Sequence, residues 1–274
     1  MNIHTHTRTG RGVEVVSVMA GRDARRDARL AAESGEPEAA DLAATASVCE
    51  ELPAPPFSIG LHPWQVGKIS DITAALAEVE QAAAVPVRNA HRTAALAEEG
   101  GGTSVSRGEP LVALPTVARA AAIGEIGIDA AIREAAGGMK IENQRAAFAA
   151  QLEIAERHSL PVVLHCVRAF EAVMEIVAEY SLPGVLFHGF VGLPEQAARA
   201  VGAGYYLSFG PRSLSSPRTV EAMRAVPPER MFLETDAENV DIDDVYTRVA
   251  GLLGTPREEL VEQLCHNYKT FFKI

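Results

Sequence analysis

Eight short apolar runs, separated by longer stretches rich in Ala, Glu and Arg, constrain the fold of this chain more than any other feature. The runs span 2–7, 13–19, 57–61, 121–128, 161–165, 184–188, 205–209 and 231–235. Stretches of helical character fall at 38–51, 71–83, 142–158, 169–180, 194–201, 217–225, 240–253 and 257–272. Apolar strands that alternate with helices are typical of parallel sheets buried on both faces. Eight such units predict an α/β fold, the (β/α)8 TIM barrel.

The length of 274 residues fits one barrel, so we expect residues 1–274 to form a single domain with its functional site at the C-terminal mouth of the barrel. The segment 85–115 does not fit the strand and helix pattern. It clusters Pro, Gly, Ser and charged residues without a sustained period, which predicts an inserted, flexible surface loop.

Composition narrows the classes of function. No apolar run approaches the roughly 18 residues that a membrane span needs, and the first residues lack the features of a secretory signal. Three scattered cysteines suit a reducing compartment, so we expect a cytoplasmic protein without a membrane partner. The net charge of −11 excludes non-specific coating of nucleic acid but not a nuclease, because bound cations reverse the local field. The sequence indicates no stable protein partner, and we expect a monomer or small homo-oligomer.

Two histidines in the first predicted strand, His4 and His6, stand at positions i and i+2 and therefore share one face. In a barrel that face is the interior, where paired imidazoles are hard to explain by packing. Glu125 lies within another apolar strand, where an unpaired carboxylate would be costly. Because the predicted strands carry no interior basic residue, we interpret Glu125 as a metal ligand rather than half of a salt bridge.

Two successive units end an apolar strand in histidine, at His165 and His188, and Asp236 follows the eighth strand. Catalytic residues of such barrels collect at these strand ends. With the residues above, these three complete six predicted ligands for one or two divalent ions. Magnesium, manganese and zinc all remain open. One division places His4, His6, Glu125 and Asp236 around one ion, and Glu125, His165 and His188 around the other. Asp236 and Glu125 are also the predicted catalytic residues, with Asp236 able to act as general base.

Four further residues near the predicted mouth carry open alternatives. His62 either contacts substrate or supports a ligand, or it is purely structural. Arg168 either binds a phosphate group or caps the following helix. Asp129 either orients a ligand or caps a turn, and Trp64 is either a lid or a packing residue.

The ordered motifs resemble those of the TatD-like deoxyribonucleases, a branch of the metal-dependent hydrolases. The matching segments are 4–6, 60–63, 123–129, 160–165, 188–190, 207–210 and 233–236, together with the single residues Gln144, Phe148, Gln151, Asn267, Phe271 and Phe272. The resemblance implies a (β/α)8 barrel that hydrolyses phosphodiester bonds in DNA through a metal-activated water, with the same six ligands.

Cys166 and Val167 stand where the family more often has Ser, and Ala130 and Ala131 follow Asp129 where aromatic or basic residues are common. Since such positions read the substrate, the alternative is a barrel hydrolase acting on a small phosphoester, amide or lactone.

Overall fold

The computed structural model describes residues 2–5, 14–19, 57–66, 72–84, 120–132 and 141–273. Eight strands lie in these ranges, and all seven successive pairs are parallel and hydrogen-bonded in chain order. The strands are β1 (Asn2–Thr5), β2 (Glu14–Met19), β3 (Phe57–Gly60), β4 (Ala122–Asp129), β5 (Val162–Val167), β6 (Val185–Phe187), β7 (Tyr206–Phe209) and β8 (Met231–Leu233). The first strand also approaches the last, which brings the two edges of the sheet together. The predicted α/β barrel is therefore confirmed.

Helices separate the later strands and cover the outside of the sheet. They are α1 (Pro63–Val66), α2 (Ile72–Ala84), α3 (Ile141–Arg157), α4 (Phe170–Val177), α5 (Pro194–Gly202), α6 (Pro211–Leu214), α7 (Pro217–Ala225), α8 (Ile242–Leu253) and α9 (Arg257–Phe272). Within the described residues, no helix combines the length and apolarity needed to cross a membrane. The predicted helix at 38–51 and the predicted loop at 85–115 lie outside the described residues.

Two strands end at residues other than the predicted ones, because backbone pairing between strands stops later or earlier than the apolar pattern does. His165 is not the last residue of its strand, because β5 continues to Val167, which pairs with Asp129 at the end of β4. At the other end of the sheet, β8 stops at Leu233, two residues earlier than predicted. The chain turns away soon after, since Asp236 adopts a positive φ of 53°.

Side chains of the strands fill the barrel interior in two successive layers. The lower layer is apolar and contains Ala122, Val163, Leu186, Tyr206 and Phe232, with Phe271 of α9 packed below it. Two residues further along each of four strands, the same face carries polar side chains, because alternate residues share a face. This upper layer contains His165, His188, Ser208 and Glu234, all buried. The upper layer opens at the C-terminal mouth of the barrel, where the candidate site lies.

Candidate metal centre

Glu125 of β4 joins the upper layer through its contacts with His165 and His188, and it is only 3% exposed. Its Oε2 atom lies 2.7 Å from Nε2 of His188, 3.3 Å from Nδ1 of His165 and 3.4 Å from Nε2 of His62. Three imidazole nitrogens thus converge on one carboxylate oxygen. The predicted burial of Glu125 in an apolar strand is correct, and histidines rather than Lys or Arg surround it.

His165 is fixed by a second carboxylate on its far side. Its Nε2 atom lies 3.2 Å from Oδ2 of Asp129, so a proton on Nε2 leaves Nδ1 facing Glu125. Oδ1 of Asp129 accepts a hydrogen bond from the backbone N–H of Ala131 at 2.8 Å, so Asp129 fulfils both predicted alternatives. Burial would raise the pKa of Asp129, but hydrogen bonds from His165 and Trp64 outweigh it and lower that pKa to about 2. Burial likewise opposes protonation of His165, yet Asp129 and Glu125 raise its pKa overall.

His188 repeats this arrangement with a different carboxylate. Its Nδ1 atom lies 3.6 Å from Oε1 of Glu234, while its Nε2 atom faces Glu125. Burial would lower the pKa of His188, but the two carboxylates outweigh burial and raise it well above its usual value. Glu234 is fully buried, and its Oε2 accepts a hydrogen bond from the Ser208 hydroxyl. Carboxylates that hold the outer nitrogen of a metal-binding histidine are a common feature of metal sites.

His62 also faces the Oε2 atom of Glu125, but its two ring nitrogens have different roles from those of His165 and His188. Its Nδ1 atom accepts a hydrogen bond from the backbone N–H of Trp64 at 3.1 Å, so the neutral ring carries its proton on Nε2. That Nε2 lies 3.1 Å from Nδ1 of His165. Burial lowers the pKa of His62 by more than Glu125 raises it, and the lowered pKa favours the neutral ring. Although His62 lies among potential metal donors, this tautomer makes it a hydrogen-bond donor.

Three donor atoms remain, and their spacing fits a divalent ion. Metal–nitrogen bonds of roughly 2.0–2.1 Å place neighbouring ligand atoms about 2.9–3.4 Å apart, depending on the coordination angle. Nδ1 of His165 lies 3.3 Å from Oε2 of Glu125 and 3.3 Å from Nε2 of His188, within this range, while the 2.7 Å between Oε2 of Glu125 and Nε2 of His188 is slightly shorter. A cation would also balance the charge of a carboxylate buried in the barrel interior. These residues therefore fit one of the two predicted ion positions.

A second group of potential donors lies beside the first. His188, Glu234 and Asp236 offer atoms that lie within 4.8 Å of one another. Of His4 only its position in β1 is described, and that strand approaches β8, which leads to Asp236. His6 lies outside the described residues. The ligand roles of His4, His6 and Asp236 at the other ion position stay predictions.

A cavity of about 330 Å³ opens over both groups, lined by His165, His188, Glu234 and Asp236 among others. It shares Arg168 with an adjoining cavity of about 520 Å³. Arg168 forms no hydrogen bond or ion pair with another residue in the described parts of the chain. Its backbone has a φ of 52°, a conformation that costs energy for a residue with a side chain. A cationic side chain at the junction of two cavities suits the phosphate-binding alternative.

Sequence reasoning missed Glu234 and left the role of Asp129 open. A signal for Glu234 was present, since it directly follows an apolar strand and precedes Asp236 by two residues. The sequence pattern alone did not single out this carboxylate, two residues before a predicted ligand. For Asp129, only the fold could show which histidine it contacts.

The closed parallel barrel, with histidines and carboxylates meeting at its mouth, has the architecture of metal-dependent barrel hydrolases. Comparison with known proteins narrows this class. The sequence profile described as "TatD related DNase" matches residues 4–273, nearly the whole chain. The chain therefore belongs to the TatD-related DNase family, which confirms the resemblance seen in the motifs.

Individual relatives agree with this assignment. The human protein named deoxyribonuclease TATDN3 is 30% identical over 178 residues, which cover 59% of this chain and 64% of the relative. The match thus spans less than two thirds of that protein. A protein of Shigella flexneri serotype 5b named 3'-5' ssDNA/RNA exonuclease TatD is 31% identical over 188 residues, 61% of this chain and 71% of the relative. The crystal structure of YjjV, a TatD homologue from Escherichia coli, superimposes with a TM-score of 0.66 at 22% identity. That comparison covers 96% of this chain and 87% of the other, and it supports the fold.

Proposed function

We propose that this protein is a divalent-metal-dependent deoxyribonuclease that hydrolyses phosphodiester bonds. The observation that carries the proposal is the convergence of Glu125, His165 and His188 donor atoms below a cavity that also presents Arg168. Family membership supports DNA as the substrate class, as do the names of the human and Shigella relatives. The net charge of −11 is compatible with this function if the nucleic acid is held close to the cations.

The donor set favours one group of metals over another. Two imidazole nitrogens suit zinc better than magnesium, which prefers oxygen ligands, and the shared carboxylate also suits manganese. We propose one or two such ions, held by Glu125, His165 and His188 and, at the other position, by His4, His6, Glu125 and Asp236. When bound, divalent ions stabilise negative charge on the phosphoryl group and make a proton easier to remove from water.

The protein's own side chains supply the remaining steps. Arg168 orients the phosphate through charge-assisted hydrogen bonds, and the buried His62 supports the site by directing its Nε2–H at His165 and Glu125. The carboxylate of Asp236 accepts a proton from the attacking water. The water oxygen then bonds to phosphorus while the bond to the leaving sugar oxygen breaks. That oxygen leaves with the bonding electrons and takes up a proton from solvent.

The test is digestion of end-labelled single-stranded DNA with and without a chelator. We expect cleavage that the chelator abolishes and that added manganese or zinc restores. Asp236→Asn should lose cleavage, whereas Asp244→Asn, a matched change in the first turn of α8, should retain it. Chelator-insensitive cleavage, or hydrolysis of amides or lactones but not of DNA, would contradict the proposal.

We also propose that the protein resides in the cytoplasm. Of its three cysteines, Cys166 forms no disulfide with another residue in the described parts of the chain. Burial raises the pKa of Cys166 to about 12, which keeps this thiol protonated beside the site. Unpaired thiols are compatible with a reducing compartment.

A further inference from the structure

Trp64 is the only tryptophan of the chain, and it lies exposed beside the metal centre. Its side chain follows His62 in the short helix α1 and is 52% exposed. The ring centroid lies 5.0 Å from that of His62 and 6.0 Å from that of His165, both in edge-to-face geometry. His165 also lines the cavity over the metal donors, so the indole borders the same mouth.

The indole is exposed but held in place. Its Nε1–H donates a hydrogen bond to Oδ2 of Asp129 at 2.7 Å, and Asp129 is itself buried. The ring contacts two buried imidazoles at its edge, while half of its surface faces solvent. A large aromatic surface that is already fixed can bind a planar group with little further loss of conformational freedom.

We propose that Trp64 is a stacking platform for one nucleobase of a single-stranded substrate, an inference that rests on the proposed function. Aromatic side chains beside a cationic or metal-lined path bind single-stranded nucleic acid by stacking, because every base has a flat π-face. The phosphate is held over the metal donors, and the base lies against the exposed indole. A base inside a duplex is already stacked, so this platform selects unpaired ends or single strands.

A purely structural role for Trp64 makes a different prediction. In that case the indole serves only to position Asp129 and, through it, His165. Losing the indole would then weaken binding of every phosphate ligand equally, with or without a base. Stacking instead predicts an effect confined to ligands that carry a base.

Because Trp64 is the only tryptophan, fluorescence of the unmodified protein excited at wavelengths that tyrosine does not absorb reports on this ring alone. The probes are thymidine 5'-monophosphate and 2-deoxyribose 5-phosphate, which share sugar and phosphate but differ in the base, both titrated in the presence of manganese. We expect thymidine 5'-monophosphate to quench the emission and the sugar phosphate to leave it unchanged. Equal responses to the two ligands, or none to either, would overturn the proposal.

Calorimetric titration extends the test to variants without the fluorophore. Wild-type protein should bind the nucleotide about 10-fold more tightly than the sugar phosphate, the size expected of one stacked base. Trp64→Leu should remove this preference, and Trp64→Phe, which keeps a ring but loses the N–H donor, should restore most of it. Ile141→Ala, which shortens another exposed apolar side chain, is the matched control and should keep the preference. Equal losses for both ligands in Trp64→Leu would show a positioning role and refute stacking.

A single-stranded oligonucleotide of abasic residues separates this inference from the proposed function. It retains every phosphodiester bond but offers no base. Slower cleavage of the abasic strand than of thymidine strands supports stacking, whereas equal rates would overturn it and leave the nuclease activity intact. Failure to cleave either strand would refute the proposed function itself, while the fluorescence titration still tests whether Trp64 contacts a base.

Discussion

The two layers of the barrel interior lie two residues apart on the same strands, yet one is apolar and the other is polar. Val163 and Leu186 belong to the lower layer, and His165 and His188 belong to the upper one. The same step of two residues leads from Tyr206 to Ser208 and from Phe232 to Glu234. The buried side chains thus change from apolar to polar. In the lower layer, aromatic rings pack at centroid distances of 5.3–5.8 Å.

This difference separates stability from function within one continuous core. The lower layer removes apolar area from water and so contributes to folding free energy. The upper layer buries carboxylates and imidazoles, which costs free energy unless they are paired or bind a metal. Substitutions in the upper layer should therefore affect binding and catalysis first, and substitutions in the lower layer should affect stability first.

The largest effect is expected for Glu125→Gln in the upper layer. Three imidazole nitrogens face a carboxylate oxygen whose negative charge this change removes. We expect a loss of roughly 10³-fold or more in the rate of DNA cleavage, since residues that act as a unit have large effects. Measured by steady-state kinetics and circular dichroism, the variant should be inactive but folded. Glu153→Gln on the exposed face of α3 is the control, and near wild-type activity in Glu125→Gln would remove it from the site.

Phe232→Ala tests the lower layer from the opposite direction. Its ring is fully buried between Tyr206 and Phe271, so truncation leaves a cavity in the apolar core. We expect the free energy of unfolding to fall by about 3–5 kcal/mol. Urea denaturation with and without chelator measures this loss, which should be the same in both conditions. If the cost were below about 1 kcal/mol, the lower layer would not make the contribution to stability that its burial implies.

Asp129→Asn tests the carboxylate that contacts His165 on the side away from Glu125. The carboxylate holds the proton of His165 on Nε2, whereas an amide can donate to that nitrogen and move the proton to Nδ1. The ligand atom would then be blocked, and metal affinity should fall about 10- to 100-fold. Competition with a fluorescent chelator measures the change. Unaltered affinity would mean that Asp129 acts only as the turn cap that Ala131 indicates.

The smallest effect lies outside both layers, at Glu80 on α2. Its carboxylate contacts His158 Nε2 and Arg157 Nη1, each at 2.5 Å, and the hydrogen bond from His158 is the main reason its pKa is lowered from 4.5. A lowered pKa means that Glu80 contributes stability above its unfolded pKa and loses it as the pH falls. Glu80→Gln should cost at most about 1 kcal/mol at neutral pH, because the pair is partly exposed. Thermal melts across the acid range should show the difference shrink as the pH falls below 4.5 and vanish below the lowered pKa of Glu80; a constant difference would exclude this titration.

The sequence predicted the alternation of strands and helices, because buried parallel strands leave a clear apolar signature. It also predicted that Glu125, His165 and His188 would meet, because the C-terminal ends of barrel strands share one mouth. It could not choose among the alternatives for His62, Asp129 and Trp64. Those roles depend on which ring nitrogen meets which partner, and such contacts between distant segments have no local sequence pattern.

The most direct test of the metal centre is a crystal structure of the protein with manganese or zinc, with the ion located by anomalous scattering. We expect a peak within about 2.0–2.3 Å of Oε2 of Glu125, Nδ1 of His165 and Nε2 of His188, with His62 Nε2 outside the coordination sphere. Crystals grown with the metal that show no peak between these three atoms, or that show the two imidazoles turned away from Glu125, would contradict it.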